Sequence, residues 1–107
     1  MLNTLESLIN LARKRKSSPV DGSYTNKLLK DKSLSKAKVL EEINELIEAV
    51  EKDSNIIHEA ADVFYHFIMY LEANNIKIED VMSELDKRKK WVINFITPQD
   101  QDYKEVN

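Results

Sequence analysis

The stretch KVLEEINELIEAVEKDSNIIHEAADVFYHFIMYLE, from Lys38 to Glu72, contains two apolar segments that are separated by a short polar break. Apolar residues recur at helical spacing on one face of the first segment: Val39, Leu40, Ile43, Leu46, Ile47 and Val50. The break comprises Lys52–Asn55, where Asp53 or Ser54 is suited to cap a second helix that reaches about Glu72. Two helices joined by so short a break predict an antiparallel hairpin.

The second helix carries two carboxylates, Glu59 and Asp62, inside a segment that is almost entirely apolar or aromatic. Steps of about 100° per residue place five apolar residues on one side: Ile56, Ala60, Phe64, Phe67 and Leu71. The two acids fall on the opposite side with His66, Met69 and Ala73. A helix that is apolar nearly all round is usually buried, and a buried carboxylate has to be paired or has to coordinate a metal. The segment therefore predicts a positive partner beside the acids, with His66 as a supporting core histidine.

The first helix carries a matching pair of acids, Glu42 and Glu45, at the same three-residue spacing. Glu45 lies seven residues before Lys52 and Glu59 lies seven residues after it, while Glu42 and Asp62 each lie ten residues away. At a helical rise of about 1.5 Å per residue, Glu45 and Glu59 are each roughly 10 Å from the turn. The hairpin therefore predicts that the two acidic pairs meet at the same height.

Convergent carboxylates in a chain without cysteine form an all-oxygen site of the kind that suits Mg²⁺ or Mn²⁺. Because Mg²⁺ usually completes its shell with water and substrate phosphates, the pattern predicts a nucleotide substrate. The alternative is a solvated acidic face, which is the preferred interpretation for Glu48 and Glu51. The segment HEAAD, residues 58–62, has Asp62 where the zinc-protease motif has its second histidine, so a zinc site is disfavoured.

The remaining sequence also favours helices. A first helix is expected to begin at a capping box formed by Asn3 and Glu6, and a short segment, SYTNKLL, is expected to begin at Ser23 or Thr25. The helix that carries Glu42 should begin at about Ser33 or Ser35, and a last helix contains three spaced apolar residues: Val81, Met82 and Leu85. The tail, residues 91–107, shows no clear period.

Composition narrows the class of protein. A chain of 107 residues with one Gly and two Pro predicts a single all-α domain over residues 1–107. Its net charge of −3 argues against a nucleic-acid partner. The absence of cysteine suits a reducing compartment, and no stretch approaches membrane-spanning length. These features predict a cytoplasmic protein without a membrane partner.

The pattern E-E-x-x-E followed by E-x-x-D resembles the motif of the all-α nucleoside triphosphate pyrophosphohydrolases, the MazG-like superfamily. Four segments are similar to the phosphoribosyl-ATP pyrophosphohydrolase family of histidine biosynthesis: GSYTNKLL (22–29), KVLEEINELIEA (38–49), EAADVFYH (59–66) and IEDVMSEL (78–85). The similarity covers about residues 2–90. One departure is Leu40, which stands where many members have Gly before the paired glutamates.

The resemblance implies a MazG-like helical bundle built around the hairpin and completed by dimerisation. It implies Mg²⁺-dependent hydrolysis of phosphoribosyl-ATP to phosphoribosyl-AMP and pyrophosphate, the second step of histidine biosynthesis. The implied metal ligands are Glu42, Glu45, Glu59 and Asp62, with Glu41 beside them in the motif. Glu41 or Glu45 is the expected general base for the attacking water.

Basic residues should line a pocket for so anionic a substrate, and the candidates are Arg13, Lys27, Lys38 and Arg88. Tyr24 is suited to stack on adenine or to pack in a dimer core. Two other functions stay open: a MazG-like housecleaning pyrophosphohydrolase with the same metal site, and a non-enzymatic helical adaptor. Apolar rows on both sides of the Ile56–Leu71 helix predict a homodimer or a higher homo-oligomer.

Overall fold

The computed structural model describes residues 1–95, and the side chains of residues 1–89. All regular elements in this range are helices: α1 (Asn3–Ser17), α2 (Tyr24–Lys30), α3 (Lys32–Lys52), α4 (Ile56–Ala73) and α5 (Ile78–Phe95). The prediction of an all-α fold is therefore confirmed. None of these helices is long and apolar enough to cross a membrane. The predicted irregular tail begins within α5, and its part from residue 96 onward lies outside the described residues.

The chain divides into two compact units. The first, Met1–Ile76, holds α1 to α4, and the second begins at Lys77 and holds α5. The single domain expected over residues 1–107 stays a prediction.

The predicted hairpin is formed by α3 and α4, which pack against each other more extensively than any other pair of helices in the first unit. Asp53 ends α3 in the left-handed region at φ 52°, and its N–H donates to the carbonyls of Ala49 and Val50. Asn55, at φ 58°, precedes α4 without a side-chain capping bond. Because Asp and Asn tolerate this conformation best among residues with a Cβ, they close the turn. Asp53 therefore ends the first helix, and neither Asp53 nor Ser54 caps the second.

Two other helix starts differ from the prediction. Helix α3 begins at Lys32, because the Asp31 carboxylate accepts a hydrogen bond from the Leu34 N–H at 3.0 Å and takes the place expected of Ser33 or Ser35. At the start of α1 the capping box of Asn3 and Glu6 is wrong. Leu2 occupies the capping position without a side-chain bond there, and backbone carbonyls accept from the first N–H groups.

Helix α2 begins as expected at Ser23, whose hydroxyl accepts a hydrogen bond from the Asn26 N–H at 3.2 Å. Asn26 is buried, and its side chain accepts from the Val20 N–H and donates to the Arg15 carbonyl, each at 2.8 Å. The first bond joins the loop after α1 to α2, and the second joins α1 to α2. They fix where α2 lies against α1.

The core of the first unit lies on the side of α4 that carries His66 and Met69. Its buried apolar residues come from all four helices: Ile9, Ala12, Leu28, Leu29, Val39, Ala49, Ile68, Met69, Leu71 and Ala73. Phe64 and Phe67 on the other side of α4 are 55% and 45% exposed. The expectation that α4 is buried nearly all round is therefore wrong within this chain as far as Phe67, where one side is exposed, whereas its last residues, Leu71–Ala73, are all buried.

Candidate active site

Three carboxylates converge where α3 faces α4. Glu42 and Glu45 come from α3 and Glu59 comes from α4, and one oxygen of each lies within 4.8 Å of the others. The three-residue spacing of Glu42 and Glu45 places both on the side of α3 that faces α4. The predicted meeting of the two helices' acids at one height is thus present for these three residues.

Asp62 extends the cluster along α4. It forms a second group with His58 and Glu59, again with one ligand atom of each within 4.8 Å of the others. The Asp62 Oδ2 lies 3.4 Å from His58 Nε2, and the Asp62 side chain is 37% exposed. The four predicted metal ligands therefore form two overlapping groups that share Glu59. His58 joins them and was not among the predicted site residues, although the HEAAD segment could have drawn attention to it.

Glu42 is the buried member of the cluster at 6% exposure. Its Oε2 and the Oε2 of Glu59 are buried and have no hydrogen-bond partner among the described residues. The pKa of Glu42 is raised to about 7, first by burial and then by a hydrogen bond with Glu45 and the charges of Glu45 and Asp62, while the charge of Lys38 opposes the rise. Orphaned carboxylate oxygens are costly without a positive partner, so this donor set fits a hard divalent cation.

Lys38 and Glu41 lie at the edge of the cluster, where Lys38 is one turn before Glu42 and Glu41 is one turn before Glu45. The Lys38 ammonium forms an ion pair with Glu41 and lies 3.8 Å from Glu42 Oε1. The hydrogen bond to Glu41 raises the pKa of Lys38. Glu41 is half exposed and belongs to neither group of convergent acids. The structure therefore places a cation and a carboxylate beside the cluster, where both are accessible.

Tyr24 lies at the start of α2, against α4. Its hydroxyl is 2.9 Å from His66 Nε2, and its ring stacks on Tyr65 with 6.4 Å between ring centroids. Burial raises the pKa of Tyr24, while the charge of Lys38 lowers it and those of Tyr65, Glu42 and Glu41 raise it. The hydroxyl therefore lies within electrostatic reach of the cluster. The bond to His66 joins residues 42 positions apart, so no local pattern could have revealed it.

The other basic candidates lie in different places. Lys27 is exposed on α2. Arg13 donates to the buried Glu72 at 3.3 Å, near the end of α4 opposite to Glu59. Thirteen residues separate Glu72 from Glu59, which is about 20 Å along a helix. Arg88 belongs to the second unit, where it donates to Glu84 at 3.0 Å.

A cavity of about 270 Å³ opens beside the cluster at the hairpin turn. Residues of both helices and of the turn line it: Glu45, Glu48, Ala49, Lys52, Ser54, Asn55 and Glu59. Its volume is slightly below the usual range for small-molecule sites, about 300–1,000 Å³. Two of the three convergent acids, Glu45 and Glu59, line the cavity.

The fold and the cluster together define an all-helical protein that carries an oxygen-donor site between the two helices of a hairpin. The family model of phosphoribosyl-ATP pyrophosphohydrolase matches residues 3–89, and the chain belongs to this family. No solved structure matches the chain significantly.

Named relatives agree with this family. The phosphoribosyl-ATP pyrophosphatase of Clostridium acetobutylicum is 42% identical over 94 residues, 84% of either chain. That of Bacillus cytotoxicus is 40% identical and is matched over 85% of its length by 82% of this chain. The histidine biosynthesis bifunctional protein HisIE of Pyrococcus furiosus is 41% identical over 83% of this chain but only 43% of its own. This chain therefore matches a part of the bifunctional relative and most of the others.

Proposed function

We propose that this chain hydrolyses phosphoribosyl-ATP to phosphoribosyl-AMP and pyrophosphate, the second step of histidine biosynthesis, with Mg²⁺ as its cofactor. The observation that carries the proposal is the buried Glu42 carboxylate, whose Oε2 has no hydrogen-bond partner in the described part of the chain and which meets Glu45 and Glu59 across the hairpin. The family supports the substrate, because its relatives include proteins named phosphoribosyl-ATP pyrophosphatase.

Glu42, Glu45 and Glu59 would hold the divalent cation, and Asp62 would extend the site along α4. When bound, Mg²⁺ supplies positive charge that polarises phosphoryl oxygens and lowers the pKa of a coordinated water. Mn²⁺ is the expected substitute, because it accepts the same oxygen donors.

The chain's own groups orient the reactants. In the reaction a water oxygen bonds to a phosphorus of the triphosphate, the bridging P–O bond breaks, and pyrophosphate leaves. Glu41 or Glu45 would accept the proton of the attacking water, because both are exposed beside the buried Glu42. Lys38 offers an ammonium group to the phosphates at the edge of the cluster. Lys27 on α2 remains a further candidate for the phosphates.

The direct test is a pyrophosphate-release assay on phosphoribosyl-ATP, with and without Mg²⁺, beside a panel of ordinary nucleoside triphosphates. We expect Mg²⁺-dependent turnover of phosphoribosyl-ATP and its loss in Glu42→Gln. Glu51→Gln is the matched control on the same helix, because Glu51 is exposed and belongs neither to the acidic groups nor to the lining of the cavity. A preference for ordinary triphosphates would point to a housecleaning pyrophosphohydrolase, and the absence of any turnover would contradict the proposal.

A second measurement tests the cofactor without relying on turnover. Binding of Mg²⁺ to the native chain should raise its melting temperature, because a ligand that binds only the folded state stabilises it. Asp62→Asn keeps the shape of the side chain and removes its charge, so we expect this variant to lose much of the Mg²⁺-induced rise. An unchanged rise in Asp62→Asn would remove Asp62 from the ligands.

We propose further that the active form is a homodimer or a higher homo-oligomer, in the cytoplasm where ATP-derived substrates are made. The hairpin supports this, because large apolar side chains of α3 and α4 are exposed: Leu40, Ile43, Ile47, Val50, Ile57, Phe64 and Phe67. The small cavity also supports it, since a second copy offers walls for the rest of the nucleotide.

A further inference from the structure

The pair formed by Tyr24 and His66 takes no part in the chemistry proposed above. Tyr24 begins α2 and His66 lies in α4, with 2.9 Å between the phenol oxygen and Nε2. The two rings meet edge to face, with 5.8 Å between their centroids. His66 is 6% exposed and Tyr24 is 44% exposed. The pair therefore has one buried member and one that a ligand can reach.

The hydrogen bonds of His66 determine which member of the Tyr24–His66 pair donates the proton. The His66 Nδ1 lies 2.7 Å from the carbonyl oxygen of Asp62, one turn earlier in α4. Because a carbonyl oxygen only accepts, Nδ1 carries a proton. In the imidazole tautomer with its proton on Nδ1, Nε2 is the acceptor and faces the Tyr24 hydroxyl. The Tyr24 hydroxyl therefore donates its proton to His66.

A phenol whose proton is engaged in this way offers only lone pairs to a ligand. The ring stacks on Tyr65 at an interplanar angle of 19°, and the 2.9 Å contact with His66 engages the hydroxyl proton. Phosphate groups in their ionised form only accept hydrogen bonds, so they do not match this oxygen. A hydroxyl group of a ribose or an amino group of a base does match it. His66 links this oxygen to the backbone carbonyl of Asp62, whose side chain belongs to the acidic cluster.

We propose that His66 is a positioning residue that fixes the Tyr24 hydroxyl as a hydrogen-bond acceptor for the nucleoside part of the substrate. This inference rests on the proposed function, which supplies the nucleotide. It assigns Tyr24 to recognition of a donor group beside the triphosphate, and it leaves the phosphates to the basic residues and the cation. Specificity for a nucleotide over a plain polyphosphate then originates partly in this pair.

The test measures kcat and KM of the full chain on phosphoribosyl-ATP with Mg²⁺. Tyr24→Phe keeps the ring and removes the acceptor, so we expect KM to rise about three- to tenfold with kcat changed less than about twofold, as for the loss of one neutral hydrogen bond. His66→Leu should raise KM to a similar extent. His66→Gln should keep KM near the parent value, because its amide oxygen can accept from Tyr24.

Tyr65→Phe is the matched control within the same ring cluster. It removes a hydroxyl that bonds to the buried Thr25 on the same helix pair, so we expect a lower melting temperature with KM unchanged. The group that donates to Tyr24 is identified with a substrate analogue in which the ribose that carries the triphosphate is replaced by deoxyribose. If a ribose hydroxyl is the partner, the analogue raises KM for the parent and not for Tyr24→Phe; if a base amino group is the partner, both enzymes respond alike.

An unchanged KM in Tyr24→Phe would overturn this inference while the parent's turnover still supports the proposed function. A rise in KM for Tyr65→Phe equal to that for Tyr24→Phe would overturn it too, because the effect would then be structural. A parent chain that does not hydrolyse phosphoribosyl-ATP overturns the proposed function itself, and the kinetic comparison is then made on whichever triphosphate the panel identifies.

Discussion

Glu42 is a buried carboxylate, and burial of a charged carboxylate is energetically unfavourable. Its neighbours Glu45 and Asp62 add negative charge, and only Lys38 opposes them. Desolvation and like charge both favour the protonated form, which is why the pKa of this side chain reaches about 7. The residue thus stabilises the fold best when it is protonated or when a cation faces it.

Glu42 predicts a pH dependence of stability in the metal-free chain. Because its pKa in the folded state, about 7, lies above the ordinary 4.5, the native state binds more protons between these values and loses stability as pH rises through them. The loss is on the order of 3 kcal/mol for a shift of this size. Unfolding of parent and Glu42→Gln at several pH values in a chelator should show the loss only in the parent. Equal pH profiles would contradict it.

Ser35 gives a second prediction at this scale. Its side chain is 1% exposed, and its hydroxyl has no hydrogen-bond partner among the described residues. Ser35→Ala removes the unpaired hydroxyl and adds a better helix former, so we expect the free energy of unfolding to rise by about 1 kcal/mol. Ser33→Ala, on the exposed first turn of α3, is the control and should change it by no more than about 0.5 kcal/mol. A loss of stability in Ser35→Ala would reveal a partner for the hydroxyl.

At the scale of the elements, the hairpin turn sets where the acids of α3 meet the acid of α4. Asp53 and Asn55 both adopt positive φ, and only three residues connect the two helices. A shift of one residue in this turn would rotate Glu59 by about 100° away from Glu42 and Glu45. The geometry of the site therefore depends on the conformation of this turn, although Asp53 is not one of the convergent acids.

The turn predicts opposite effects of two substitutions at Asp53. Glycine adopts positive φ without steric cost, so Asp53→Gly should leave the free energy of unfolding unchanged or raise it by up to about 1 kcal/mol. A β-branched residue is strained at this φ, so Asp53→Val should lower it by about 1–2 kcal/mol. Glu51→Val, at a helical position next to the turn, is the control for loss of charge. Denaturant unfolding measures the free energy of unfolding of all three variants. An Asp53→Val variant as stable as the parent would contradict the predicted backbone strain.

The hairpin and its acids could be predicted from sequence because both depend on local spacing. Equal distances of Glu45 and Glu59 from Lys52 are visible in the sequence, and the structure brings the two together with Glu42. The buried side of α4 could not be predicted, because a helix that is apolar all round takes its inner face from whichever neighbours cover it. For the same reason the contact of Tyr24 with His66 appeared only in the structure.

At the scale of the whole molecule, the first unit has its acids inside the hairpin and much apolar surface outside it. Phe64 and Phe67 on α4 and Ile47 and Val50 on α3 are all at least 45% exposed. A monomer of this size rarely leaves so many large apolar side chains on two helices in water. The proposed self-association accounts for these residues.

The proposed homodimer predicts that its stability depends on concentration. If a second copy covers Phe64 and Ile47, the melting temperature of the parent should rise with protein concentration, and sedimentation should give at least twice the monomer mass. Phe64→Glu or Ile47→Glu should reduce both effects, because a buried unpaired charge is strongly unfavourable. Lys30→Glu, exposed on α2, is the control. A parent that stays monomeric and folded at micromolar concentration would contradict the proposal.

The position of Lys38 has a consequence for how a newly made chain matures. Its ammonium lies beside Glu41 and Glu42, and Glu42 holds a proton up to a pH of about 7, so the acids are partly neutralised by the chain and by the solvent. We therefore expect a newly made chain to fold before it captures a metal ion, in contrast to small zinc-dependent domains. If Mg²⁺ is the cofactor, as proposed, we expect translation and metal loading to be separate events, so that a shortage of Mg²⁺ lowers the activity of the protein and leaves it folded.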